Sequence, residues 1–261
     1  SAHGQNFSRP RKVALQQALK AFRLSGAGLP DAQRARLLEI QATIGTLQGR
    51  FFDNLAAATG AWGVLISDAQ RLRGVAALER AAMARKAQAQ GLEGWWVSLE
   101  EAPCMAILEQ AEDRALREQV YTAYHSRASD QDAGPDNGLL LSELTVLRHE
   151  RARLLGFASA AELSLQTKTA GSVTTVTQFL ADLAEQARPL LAREQRRLQG
   201  YFDEHGVGPM QPWDIAYCTQ QSRRHPLSLS AEEFRAYFPF DQVLQALVDL
   251  AARLFDVHLA P

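Results

Sequence analysis

A regular apolar stripe in residues 31–59 constrains the fold more than any other feature of this sequence. Its apolar residues recur three or four positions apart, and they are Leu37, Ile40, Ile44, Leu47, Phe51, Leu55 and Ala58. This spacing places all of them on one face of an α-helix. We therefore predict a long helix over residues 31–59 that packs along a single stripe.

Helical spacing continues through most of the remaining chain. We predict a first helix from Pro10 to the stop at Gly26, and further helices over residues 103–110, 114–127, 139–155, 159–166 and 172–204, the last interrupted by Pro189. Shorter helices are predicted from Pro212, from Ser230 with its capping partner Glu233, and from Asp241, which is expected to cap the final helix.

Two short segments differ from this helical pattern. Trp62–Ser67 and Trp95–Leu99 are rich in aromatic and β-branched residues, and they flank an Ala/Arg/Gln-rich helix that ends at Gly91. We predict that they pair as a small β ribbon. The predicted fold class is mainly α, an elongated multi-helix array with a small β ribbon.

The clearest loop runs from Ser129 to Gly138, where turn-forming residues and an X-Pro step are combined. We predict that it is a hinge or boundary. It divides the chain into an N-terminal helical segment with the ribbon (1–128), the loop or hinge (129–138) and a second helical segment (139–261).

Composition excludes several classes of function. The 28 basic and 29 acidic side chains nearly cancel, which disfavours binding to nucleic acid or to an anionic membrane surface. The longest apolar stretch is too short to span a bilayer, and Ser1–Arg11 has no apolar signal-peptide centre. The two cysteines, Cys104 and Cys218, cannot form a disulfide framework, so a reducing, cytoplasmic location is expected.

No complete catalytic motif emerges from the residues alone. His149-Glu150 begins a HExxH-like pattern, but Arg153 stands at the position of the second histidine and its charge would repel a metal ion. The other histidines are scattered and indicate surface or turn positions: His3, His125, His205, His225 and His258. We predict no catalytic residue and no metal ligand in this chain.

Four strings in order carry a family resemblance. They are Phe22–Pro30, Tyr121–Asp130, Leu154–Phe157 and Pro212–Tyr217, followed by Tyr237-Phe238-Pro239. Together they resemble the thimet oligopeptidase family of zinc metallopeptidases, over about residues 7–261. Two departures are Cys218, where the family prefers tyrosine, and Thr169, where it prefers methionine.

The resemblance implies a mostly helical, two-lobe enzyme that hydrolyses short peptides inside a deep channel, with zinc held by a HExxH helix and a later glutamate. That motif belongs downstream of the segment resembling residues 213–261, so no zinc is expected on this chain and its expected partner is the missing catalytic lobe. The chain would then form channel wall and be inactive alone. Self-association through exposed apolar surface is also expected.

Aromatic and arginine side chains can grip an extended peptide, and five are candidates for the channel side. They are Tyr121, Tyr124, Arg127, Trp213 and Tyr217. The alternative is that the tyrosines and Trp213 are simply core of a lobe.

Two other functions remain open at this point. The chain could be an independent, non-enzymatic helical module that binds peptides or a protein partner, or an enzyme with an unrecognised site. A reading frame that continues past Pro261 into HExxH would favour the peptidase segment, and a stop codon there would favour the module.

Overall fold

The computed structural model describes residues 7–131, 134–205, 208–223 and 237–257. In chain order the elements are α1 (Arg9–Leu24), α2 (Asp31–Ala61), β1 (Gly63–Ile66), a 3₁₀ turn (Ala69–Leu72), α3 (Ala77–Ala89), β2 (Trp95–Ser98), α4 (Glu101–Gln110), α5 (Arg114–Ser126), α6 (Gly138–Leu154), α7 (Ala160–Leu165), α8 (Val173–His205), α9 (Pro212–Arg223) and α10 (Phe240–Phe255). The described chain is mainly α with one two-stranded sheet, which confirms the predicted fold class.

The long helix α2 packs against α6 along the predicted stripe. Ile40, Ile44 and Leu47 are buried against Leu140, Leu144 and Leu147, and Phe51 packs at the edge of this cluster. An ion pair crosses the same interface, because Arg36 donates from Nε and Nη2 to the two carboxylate oxygens of Glu150 at 2.7 and 2.8 Å. This contact joins the two segments that flank the predicted hinge, and the division into domains stays a prediction.

The predicted ribbon is confirmed as an antiparallel pair of strands. Val64 lies opposite Val97 and Leu65 opposite Trp96. The ribbon packs with α3, α4 and α5 around the largest buried cluster, whose members include Leu72, Met83, Val97, Ile107, Leu116 and Val120. Leu116 and Val120 of α5 belong to this cluster, so the core fixes the inner face of α5.

Helix α9 lies against three other helices. It packs against α4, α5 and the second half of α8. Leu198 and Phe202 of α8 form a small buried cluster with Cys218 of α9.

Three helical segments place apolar side chains in solvent. These are α1, the first half of α8 and α10, with exposed residues that include Leu19, Phe22, Phe179, Leu183, Leu247 and Leu254. The predicted apolar spacing of α1 and α10 is present, but among the described residues none of α1 or α10 is buried.

The predicted start of α10 is wrong in detail. Its N-cap is Pro239, and Asp241 lies inside the first turn, where its negative charge is favourable without closing a cap. The capping pair Ser230 and Glu233 lies outside the described residues. The predicted interruption at Pro189 does not end the helix, because Pro189 lies within α8, which is continuous over Val173–His205.

Candidate functional site

A row of aromatic side chains runs along α5 and ends on α9. The ring centroid of Trp213 lies 6.2 Å from that of Tyr121, and Tyr121 lies 4.1 Å from His125. His125 lies 5.5 Å from Tyr124, whose ring is covered by the guanidinium of Arg127 at 3.7 Å. We call these five residues the aromatic strip.

Helical geometry explains why the strip is continuous. Tyr121 and His125 are four residues apart on α5, and Tyr121 and Tyr124 are three apart, so their side chains share one face. The inner sides of both tyrosines pack against the main core, whereas His125 is exposed. The two tyrosines therefore belong to the core and to the surface strip at once.

Arg127 is held in place at the carboxyl end of α5. Its Nε donates to the carbonyl oxygen of Tyr124 at 2.8 Å, and its Nη1 donates to the Oγ1 of Thr59 at 3.0 Å. The cation lies where the helix leaves unpaired carbonyl groups, and such a position favours positive charge. These bonds join the ends of α2 and α5 and leave the guanidinium face stacked on Tyr124.

Arg127 also borders a pocket of about 770 Å³. Its apolar wall is formed by Ala57, Ala61 and Trp62, at the end of α2, and by Leu99. Its polar wall comes from α5 and from the loop after it, including Gln119, Thr122 and Gln131. The pocket has the size and the mixed lining of a small-ligand site, but of the strip only Arg127 lines it.

Tyr217 does not join the strip. Its ring lies under the guanidinium of Arg117, 4.2 Å from the centroid, and it packs with the cluster of Leu198, Phe202 and Cys218. The structure thus brings four of the five predicted residues together and places Tyr217 about one turn away on the same helix as Trp213.

A buried ion cluster lies directly beside the strip. The carboxylate of Asp214 is fully buried and accepts hydrogen bonds from Nη2 of Arg117 at 2.8 Å, from Nη2 of Arg114 at 2.8 Å and from the backbone N–H of Gln211 at 2.9 Å. Burial alone would raise the pKa of Asp214, but the hydrogen bonds from Arg114 and Arg117 outweigh it and hold that pKa below its usual value.

Sequence reasoning missed two residues of this region. The sequence pattern predicts a surface or turn position for His125 and no role in the site, although its spacing of four residues from Tyr121 indicates a shared helical face. Asp214 carried no signal that distinguishes it from a helix-capping carboxylate, because both arginines that bind it are remote in sequence.

The described residues contain no cluster of three or more histidine, cysteine, aspartate or glutamate side chains that could hold a metal ion. Both cysteines are buried, and burial raises the pKa of Cys104 to about 12. A neutral, buried thiol of this kind is a packing group.

The sequence profile of peptidase family M3 matches residues 107–261, which include the whole aromatic strip and the Asp214 cluster. The chain belongs to peptidase family M3. Oligopeptidase A from Haemophilus influenzae is 37% identical over 262 residues, covering 99% of this chain and 38% of that relative. Oligopeptidase A from Escherichia coli is 37% identical over 259 residues, with 98% and 38% covered.

A more distant relative, a dipeptidyl carboxypeptidase from Escherichia coli, is 30% identical over 225 residues, or 85% of this chain and 33% of that protein. The chain thus spans less than two fifths of the length of these curated relatives. In the part of the chain that the structure describes, none of the helices combines the length and apolar character that a membrane span requires.

Proposed function

We propose that this chain supplies part of the peptide-binding wall of a zinc-dependent M3 oligopeptidase that hydrolyses short peptides inside a channel. The observation that carries the proposal is the aromatic strip, since it combines half-buried rings, an exposed imidazole and a fixed guanidinium on one surface. The similarity to proteins named oligopeptidase A supplies the substrate class, short peptides.

The strip suits an extended peptide for a chemical reason. Aromatic faces accept apolar side chains and lose little conformational entropy on binding, because each ring has only two rotatable side-chain bonds. The phenol groups and Arg127 can exchange hydrogen bonds with the peptide's carbonyl and amide groups. Such a surface binds many sequences without requiring a particular one, as an enzyme that degrades varied peptides needs.

In this proposal the chemical step belongs to other parts of the parent protein. The zinc ion, its ligands and the general base would come from a catalytic lobe that this chain contacts, and the chain alone would be inactive. A cytoplasmic location also belongs to the proposal, supported by a relative named probable cytosolic oligopeptidase A, which is 29% identical.

Peptide binding by this chain can be measured by fluorescence anisotropy of a labelled, unstructured short peptide. We expect His125→Ala, and the double change His125→Ala with Tyr121→Leu, to weaken binding progressively, by about tenfold for the double variant, because aromatic anchors carry most interface energy. Phe22→Ala removes an exposed aromatic ring of α1 and is the matched control. Equal affinities for all four proteins would contradict a role for the strip.

A quenched fluorescent peptide tests the second part of the proposal. Neither the chain alone nor the chain supplied with zinc should cleave it. Metal-dependent turnover that a chelator abolishes would contradict the assignment of catalysis to another part of the parent protein.

A further inference from the structure

We infer that the buried ion pair between Arg117 and Asp214 positions Trp213 against Tyr121, and so sets the geometry of the aromatic strip. The inference concerns residues that lie beneath the strip and do not touch a peptide. Only its functional consequence, a change in peptide affinity, rests on the proposed function.

The placement of the four residues carries the argument. Arg117 lies one helical turn before Tyr121 on α5, and Asp214 directly follows Trp213 on α9. The ion pair at 2.8 Å and the ring contact at 6.2 Å therefore lie side by side between the same two helices. A shift of α9 along α5 would therefore change both the ion pair and the contact between the rings of Tyr121 and Trp213.

Both partners of the ion pair are fixed by further bonds. The Nη1 of Arg117 donates to the carbonyl oxygens of Ala111 and Glu112 at 2.7 and 3.2 Å, which ties the guanidinium to the turn between α4 and α5. Asp214 also binds Arg114, which donates from Nη2 to the carbonyl oxygen of Pro209 at 2.8 Å. Moving α9 would thus leave buried charges without partners, which is strongly unfavourable.

The position of the Trp213 ring depends on this ion pair because no hydrogen bond of its own to a described residue fixes the ring. Its indole Nε1 is buried and has no hydrogen-bond partner among the described residues. Its ring is therefore positioned only by packing and by the backbone of α9. Buried ionic groups are known to specify the register of packed helices in some proteins, and we assign that role to Asp214 here.

The experiment uses the full chain labelled with 5-fluorotryptophan, whose ¹⁹F spectrum should show one resonance for each of its four tryptophans. The variant Trp213→Phe identifies the resonance of Trp213. We expect Asp214→Asn to shift or broaden that resonance and to leave the other three in place. Asp214→Glu, which keeps the charge, should restore it in part.

The matched control is Glu150→Gln, which breaks the ion pair between α2 and α6, two helices that do not carry the strip, and should leave the Trp213 resonance unchanged. An unchanged Trp213 resonance in a folded Asp214→Asn protein would overturn the inference. If Asp214→Asn loses all four native resonances, Arg117→Lys decides instead, since it keeps a positive charge but loses the guanidinium that binds both Asp214 and the carbonyl oxygens of Ala111 and Glu112. A selective shift of the Trp213 resonance then supports the inference, and an unchanged resonance overturns it.

Anisotropy with the labelled peptide separates this inference from the proposed function. We expect Asp214→Asn to lower affinity about tenfold, as loss of one aromatic anchor would, with partial recovery in Asp214→Glu. If the unaltered chain binds no peptide while Asp214→Asn still displaces Trp213, the proposed function fails and the positioning role stands. If the unaltered chain binds and a folded Asp214→Asn protein binds equally well, the positioning role fails.

Discussion

Asp214 is the residue on which the local electrostatics of this molecule depend. Its carboxylate has no contact with solvent, and Arg114 and Arg117 of α5 supply two positive charges to it. A buried ion pair of this kind typically stabilises a fold no more than well-packed apolar side chains of similar volume would. Removal of one partner, however, typically lowers the free energy of unfolding by about 3–5 kcal/mol, because the other charge is left uncompensated. Asp214→Asn should therefore destabilise the chain at neutral pH.

The pH dependence of stability gives a sharper prediction. Because the folded-state pKa of Asp214 lies below its usual value of 3.8, its ionisation stabilises the fold above that value, and this contribution is lost as the pH falls through the folded pKa. The denaturation midpoint should fall less steeply below about pH 4 in Asp214→Asn than in the unaltered chain.

The other titratable side chains near Asp214 do not produce the same difference in the pH dependence of stability. Arginine side chains do not deprotonate in proteins, and burial raises the pKa of the Cys218 thiol, so it stays protonated. Asp113 keeps a lowered pKa through its bond from Arg71 and contributes equally in both proteins. Asp31→Asn is the control, since that side chain is 96% exposed and its pair with Arg34 is screened by solvent. Identical acid profiles for Asp214→Asn and the unaltered chain would contradict the assignment.

At this scale sequence reasoning found only part of the site. The residue types of Tyr121, Tyr124, Arg127 and Trp213 were informative because aromatic residues and arginine are common at binding surfaces. The pairing of Asp214 with Arg117 could not be predicted, because a contact across 97 residues depends on how α5 and α9 pack. The position of Tyr217 away from the strip has the same cause.

At the scale of elements, α2 and α6 show how periodicity alone determines a buried interface. Ile44 is 6% exposed in the middle of the α2 stripe, and Leu38 on the same helix is 59% exposed. Ile44→Ala should cost about 2–5 kcal/mol of unfolding free energy, because it removes buried methyl groups and leaves a cavity. Leu38→Ala should change stability by less than about 0.5 kcal/mol.

Urea denaturation of both variants measures this difference. Equal midpoints for Ile44→Ala and the unaltered chain would show that the stripe of α2 does not carry the interface with α6. Phe51→Ala should lower the free energy of unfolding by less than the same substitution would at a fully buried position. The reason is that Phe51 is only partly buried, at the edge of that interface.

Helix boundaries and helix packing differ in how far a sequence determines them. The bounds of α2, α4 and α5 and the ribbon agree with the prediction to within about two residues, because caps, glycines and periodicity are local signals. The burial of α1 and α10 could not be predicted in the same way. Their apolar stripes have the same spacing as that of α2, yet no residue of either is buried among those described. An apolar stripe indicates which face of a helix can pack, but it does not indicate which other element packs against that face.

At the scale of the whole molecule, the exposed stripes determine how the chain should behave in solution. Helix α10 exposes Leu247 and Leu254 to 61% and 65%, and the first half of α8 exposes Phe179 to 63%. Contiguous apolar surface beyond a few hundred Å² is uncommon on soluble monomers and marks sites of association. In the proposed parent protein these faces would contact other parts of the enzyme.

The isolated chain should therefore self-associate or bind a hydrophobic dye in its native state. Sedimentation velocity over a concentration series and dye fluorescence measure the two effects. Leu247→Lys with Leu254→Lys should reduce both, because two charges interrupt the α10 stripe. Leu139→Lys alters a side chain that is 78% exposed on α6 and serves as the control for added charge. A chain that sediments as a monomer at every concentration and binds no dye would show that these faces are not association surfaces, and it would favour an independent helical module over a segment of a larger peptidase.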